Sequence, residues 1–143
     1  MFLEGSNRAV PFLIATLKNP DLDLRAEAIL TLGRTGAPAI PALLTALHDP
    51  DVRVSSGAAL AFWRMAKARR YALNPNNTME TVVAALRTVL NKPDERLRYR
   101  AILALRDLQP DANDLPQIPA AALRDEDKAV RARAAFETDW HGS

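Results

Sequence analysis

At 143 residues, with 48% hydrophobic and 25% charged positions and 19 Lys plus Arg against 17 Asp plus Glu, the chain has the size and balance of one folded domain. A formal charge of +2 argues for no class of partner, the lack of cysteine removes disulfides, thiolate metal sites and thiol nucleophiles, and only His48 and His141 are left for imidazole chemistry. No apolar run approaches the roughly 20 residues of a membrane span, and Met1-Phe-Leu-Glu-Gly-Ser-Asn7 lacks the basic start and long apolar core of a secretory signal, so a cytoplasmic location is the expectation.

Along the chain, apolar helical patterns alternate with short polar corners. A first helix is predicted over 8–18, including the strongly apolar Ala9-Val-Pro-Phe-Leu-Ile-Ala15, and the corner Leu17-Lys-Asn-Pro-Asp-Leu-Asp-Leu-Arg25 opens a second over 21–34. The same sequence of events returns over 38–48 and 51–70, joined by Leu47-His-Asp-Pro-Asp-Val-Arg-Val-Ser55. It recurs over 78–91 and 94–108, joined by Leu90-Asn-Lys-Pro-Asp-Glu-Arg-Leu-Arg98, and over 117–124 and 127–140, joined by Leu123-Arg-Asp-Glu-Asp-Lys-Ala-Val-Arg131. The aligned residues Asp21, Asp51, Asp94 and Asp127 are 30, 43 and 33 positions apart, so the second unit carries an insertion, placed in the turn-rich stretch 69–78. One domain, 1–143, is therefore built of repeats over about 8–34, 38–70, 78–108 and 117–140. Asn76-Asn-Thr78 fits a turn and helix cap better than a glycosylation acceptor.

A repeat of this size means stacked helical hairpins, since one hairpin cannot cover its own apolar face. Counting from each aligned Asp, offset +3 is apolar (Leu24, Val54, Leu97, Val130), offset +7 is Ala (Ala28, Ala58, Ala101, Ala134) and offset +9 is large (Leu30, Leu60, Leu103, Phe136). These offsets do not share one narrow stripe, so the second helix of each unit must be covered on more than one side. Pro20, Pro50 and Pro93 suit a first helical turn, with Asn19 or Asp49 as caps just ahead.

The run Leu17 to Gly33, followed by Ala39-Ile-Pro-Ala-Leu43, resembles the HEAT-repeat family and most closely its PBS-lyase-type HEAT-like members, whose pattern runs Leu-x-Asp-Pro-Asp-x-x-Val-Arg-x-x-Ala-Ala-x-Ala-Leu-Gly. The resemblance implies an all-α, right-handed α-solenoid of about four hairpins with the second helices lining a concave inner layer. It assigns hydrogen-bonded ladders between repeats to Asp21 and Arg25, Asp94 and Arg98, and Asp127 and Arg131, interrupted where Ser55 replaces Arg. It is specific for the fold and not for function; the leading expectation is a non-enzymatic protein-interaction scaffold, with no cofactor and no metal.

A binding face on the second helices would then comprise Glu27, Thr31, Arg34, Arg64, Tyr99, Arg100, Arg133 and Glu137. A competing reading takes Arg64, Lys67, Arg69, Arg70 and Tyr71, next to Trp63 and continued by Arg96, Arg98 and Arg100, as a surface for nucleic-acid phosphates. The balanced net charge opposes it. A third reading, kinship with bilin lyases, rests on the resemblance alone. Glu137-Thr-Asp-Trp-His141 offers too few ligands at helical spacing for a metal or acid/base centre. Both apolar ends of the stack invite pairing with another chain, including a second copy.

Overall fold

The computed structural model describes the backbone of residues 2–68 and 78–142 and the side chains of 8–68 and 79–137. Helix α1 (Phe2–Thr16) pairs with α2 (Leu22–Thr35); a 3₁₀ turn at Ala37–Ala39 leads into α3 (Ile40–Ala46), which pairs with α4 (Val52–Lys67). Helix α5 (Thr78–Thr88), prolonged by a 3₁₀ turn at Val89–Asn91, pairs with α6 (Glu95–Leu108), and α7 (Lys128–Gly142) follows a 3₁₀ turn at Ala120–Arg124. All regular structure among the described residues is helical, as a helical solenoid requires. The helix expected over 117–124 is reduced to that five-residue turn. Pro116 and Pro119 lie just ahead of it, and each removes a donor and pushes its predecessor toward extended backbone, so 109–119 cannot coil into a full first helix.

The corners are solved by the same local chemistry each time, though not by the expected one. Asp21, Asp51 and Asp94 are themselves the N-caps, in extended backbone, so each Pro stands one residue outside the cap rather than in the first helical turn. The side chain of Asp21 accepts from the amides of Asp23 (2.8 Å) and Leu24 (3.1 Å), and that of Asp94 from Leu97 (2.8 Å). Asn19, Asp49 and Asp125 do not cap the helix; each folds the corner by accepting the amide two residues on, at 2.8, 2.8 and 2.7 Å. At the far end of α2, Gly36 takes φ 73°, and its amide bonds the Leu32 carbonyl, ending the helix in a conformation that favours glycine.

The arginine at the fourth position after each Asp corrects the expected ladder. Arg25 donates to the carbonyls of Asn19 (2.8 Å) and Pro20 (3.1 Å), Arg98 to those of Lys92 (2.7 Å) and Pro93 (2.6 Å), and Arg131 to those of Asp125 (2.7 Å) and Glu126 (3.0 Å). The guanidinium thus clamps its own corner instead of pairing with Asp21, Asp94 or Asp127. Ser55 is too short for this and reaches only Val52 within its own turn, at 3.4 Å.

Helix α4 sits at the centre, packed by α2 on one side and α6 on the other, with α3 against it. Every residue from Val54 to Trp63 is buried, which is what apolar offsets without a single stripe require. Phe62 and Trp63, at 2% and 0% exposure, contribute about 1.5–3 kcal/mol each through burial of that kind of side chain. Helix α7 stands apart from this regularity: its backbone packs mainly on the 3₁₀ turn at Ala120–Arg124, Val130 and Ala134 join the hydrophobic core, and Arg133 and Glu137 add ion pairs to α6. No helix among the described residues is long and apolar enough to cross a membrane.

Candidate protein-binding face

The acidic corner Asp125-Glu126-Asp127 draws arginines from three helices. Arg100 on α6 meets Asp125 in a two-pronged ion pair, Nη2 to Oδ1 at 2.7 Å and Nε to Oδ2 at 3.0 Å, and its remaining nitrogen donates to the Ser56 carbonyl of α4 at 3.2 Å. The Tyr99 hydroxyl donates to the same carboxylate. Side-chain exposure is 3% for Arg100 and 0% for Asp125, so this is a core ion pair. Burial alone pushes the Asp125 carboxyl up, but the Arg100 guanidinium, with the Tyr99 hydroxyl and the Asp127 amide, outweighs it and leaves the group below its ordinary value. Tyr99 is raised, first by burial and then by its bond to the Asp125 carboxylate.

Arg100 and Tyr99 therefore lie in the core and present nothing to a partner. A charged offset +6 on an inner helix reads as surface from sequence. Only its acidic counterpart 25 residues further on, which the corner of the last repeat swings over α6, makes it interior.

The rest of the corner is anchored nearer the surface. Glu126 takes Arg25 of α2 at 2.6 Å and Arg96 of α6 at 3.6 Å, and Asp127 takes Arg64 of α4 at 3.0 Å. At the other end of α6, Arg106 meets Glu137 at 2.9 Å, while Arg133 reaches Asp107 at 3.5 Å and Glu137 at 3.4 Å. Arg133 and Glu137 of the expected face are thus engaged in holding α7 to α6. Sequence reasoning missed Asp107, Asp125 and Glu126 as their counterparts; the separations of 25 to 101 residues along the chain leave no local signal.

What the second helices leave open lies on α2 and the top of α4. Glu27 and Arg34 are exposed and Thr31 half-buried, and their i, i+4, i+7 spacing puts them on one face of α2. That face runs into a cavity of about 300 Å³ between α2 and α4, lined by Leu30, Gly33, Arg34, Arg64, Lys67 and Ala68. The helices meet closely there because Gly33 has no side chain: a Cβ at this position would lie 2.8 Å from the Arg64 Cβ. Lys67 Nζ stands 4.7 Å over the Trp63 ring, and the ring's N–H donates to Asp107 at 3.0 Å. Arg64 Nε is buried and lacks a hydrogen-bond partner. Three cations and no carboxylate line the cavity. A larger hollow of about 680 Å³ mixes Asp94 and Glu95 with Arg96 and Arg124 and so has no single charge preference.

The nucleic-acid reading loses most of its parts. Trp63 is fully buried and cannot stack on a base, Arg98 is turned onto its corner carbonyls, Arg96 pairs with Glu126, and Arg100 is interior. Arg64 and Lys67 remain, and Arg69, Arg70 and Tyr71 lie outside the described residues. No grouping of His, Asp and Glu that could hold a metal ion occurs among the described residues.

Residues 4–63 match the family model for HEAT repeats, without distinguishing the PBS-lyase type. No curated protein and no solved structure matches the chain.

Proposed function

Taking this chain as a HEAT-repeat protein, and so as one of a generally non-catalytic class of protein-interaction scaffolds, we propose that it binds a carboxylate-bearing segment of a partner protein in the groove between α2 and α4. The observation that carries the reading is the convergence of Arg34, Arg64 and Lys67 on one cavity with Leu30, Gly33 and Ala68 as its apolar floor. Arg64 already holds one carboxylate, that of Asp127, which gives the groove a built-in example of the chemistry it would recognise. Glu27 and Thr31 extend the contact down α2, so a bound segment would meet cations first and an acid further along. Rigid helices supply this surface at small ordering cost.

The reading is tested by fluorescence anisotropy with a labelled peptide of alternating Glu and Leu, titrated with the chain at low salt. Exposed pairings contribute only about 0.2–1 kcal/mol each. Reversing both exposed rim charges in R34E/K67E should nonetheless weaken binding about tenfold, or about 1.4 kcal/mol, because attraction becomes repulsion. Reversing Lys18 and Lys92, which are exposed and do not line the groove, should change affinity less than twofold. Equal losses in both variants, or single-stranded DNA outcompeting the peptide with the same dependence on Arg34 and Lys67, would refute carboxylate recognition; the second result favours the phosphate reading.

A further inference from the structure

Of the three cations that line the groove between α2 and α4, only Arg64 is engaged by a carboxylate among the described residues; Arg34 and Lys67 make no ion pair there. Its partner, Asp127, comes from 63 residues further along the chain. The neighbours of Asp127 keep it in place. Asp125 fastens the corner to Arg100 at 2.7 Å inside the core, and Glu126 moors it to Arg25 of α2 at 2.6 Å. The chain therefore holds a carboxylate of its own on a cation that the groove would offer to a partner.

That contact is poorer than the one beside it. Arg100 gives Asp125 both Nε and Nη2, one to each oxygen, whereas Arg64 gives Asp127 Nη2 alone, at 3.0 and 3.3 Å from the two oxygens. Arg64 Nε stays buried without a partner, which costs free energy. Asp127 also has a second task, since its Oδ1 accepts the Val130 amide at 3.0 Å at the start of α7. A carboxylate presented edge-on to Arg64 would take Nε together with Nη2, as Asp125 does on Arg100, and so make the better pair.

On the carboxylate reading of the groove, on which this rests, we propose that Asp127 is an internal competitor: it occupies Arg64 in the free chain, and an acidic partner segment binds in full by displacing it. A tethered competitor is present at a constant effective concentration and opposes every carboxylate ligand alike. By reciprocity, a bound acid loosens the hold of Asp127 on Arg64. The corner thereby sets a threshold for the partner. A lone carboxylate gains little by exchanging with Asp127, while a segment whose further acids meet Arg34 and Lys67 gains enough to displace it.

The labelled Glu and Leu peptide, titrated by fluorescence anisotropy, tests this with D127N, which removes the charge and keeps a cap on α7, and with D127S, which also caps but is too short to hold Arg64. Helical circular dichroism checks that each variant is folded. Both should bind the peptide about fivefold more tightly than the parent, close to the most that an accessible ion pair contributes. In an R64M background, D127N should alter affinity less than about twofold, because the competition runs through Arg64. D111N removes an exposed carboxylate that does not line the groove and should also have an effect under about twofold. Equal gains from D127N with and without Arg64, or a matching gain from D111N, would mean a general effect of charge and overturn the proposal. So would binding that D127N leaves unchanged or weakens, the latter making Asp127 a support for Arg64. In those cases the groove reading stands as long as R34E/K67E still weakens binding. No binding by the parent or either variant, or binding indifferent to R34E/K67E, removes the groove reading and this proposal with it.

Discussion

Removing one partner of the Arg100–Asp125 pair should be the most damaging single polar change in the molecule. In D125A the Arg100 guanidinium, whose side chain is 3% exposed, keeps its charge and loses both of its carboxylate contacts, while Tyr99 loses its acceptor. Stranding a buried charge in this way costs about 3–5 kcal/mol, against a total stability of about 5–15 kcal/mol for a domain. At this size about 4 °C is lost per kcal/mol, so the melting temperature should fall by about 12–20 °C. The double variant R100M/D125L removes both charges and should recover to within about 2 kcal/mol of the parent, the residue being the lost corner bond to Asp127 and the unpaired Tyr99 hydroxyl. Urea unfolding followed at the helical circular dichroism band, with midpoints compared at unchanged slope, measures both. A cost below about 1 kcal/mol for D125A, or a double variant no more stable than the single, would show that the pair is neither desolvated nor coupled as described.

Two further outcomes follow from the same packing. G33A should destabilise by about 1–2 kcal/mol despite the better helix propensity of Ala, since its Cβ would meet the Arg64 Cβ at 2.8 Å and force α2 from α4; G57A, whose Cβ would meet the Leu17 side chain no closer than 3.2 Å and needs that side chain to give by only a few tenths of an ångström, should change stability by less than about 1 kcal/mol, and equal effects in urea unfolding would contradict the close-approach argument. Asp125 is held below its ordinary value in the fold, so its contribution is complete above the unfolded carboxylate value of about 4 and is lost as pH falls through the lower folded value. Tyr99 is raised, so its contribution is complete below about pH 10 and lost as pH rises past that. Melting temperatures should therefore fall at both extremes, with D125N flattening the acid limb and Y99F the alkaline one; unchanged limbs would exclude these groups as the cause.

The architecture was legible because its causes are local. A cap at each corner, with an Asx turn at three of the four and an arginine clamp at three, acts within six residues, and the apolar offsets of α4 mark a helix covered on several sides. The missing first helix of the last repeat was also written locally, in Pro116 and Pro119, but the repeat pattern outweighed it in the reading. The expected Asp–Arg ladder failed for a different reason. A guanidinium four residues along α2, α6 or α7 can reach either the Asp or the corner carbonyls, and spacing alone does not choose between them.

Corner placement and the buried faces of the central helix followed from residue order, because turn chemistry and capping depend only on nearby residues. Which arginines are surface and which are interior was decided by tertiary structure alone. Arg34 and Arg100 occupy equally plausible places on inner helices, yet one rims an open groove and the other is sealed against Asp125. The physical reason is that burial of a charge depends on what distant segments bring over it, and the 125–127 corner reaches α2, α4 and α6 across separations of 101, 63 and 25 residues, which no single stretch of sequence encodes.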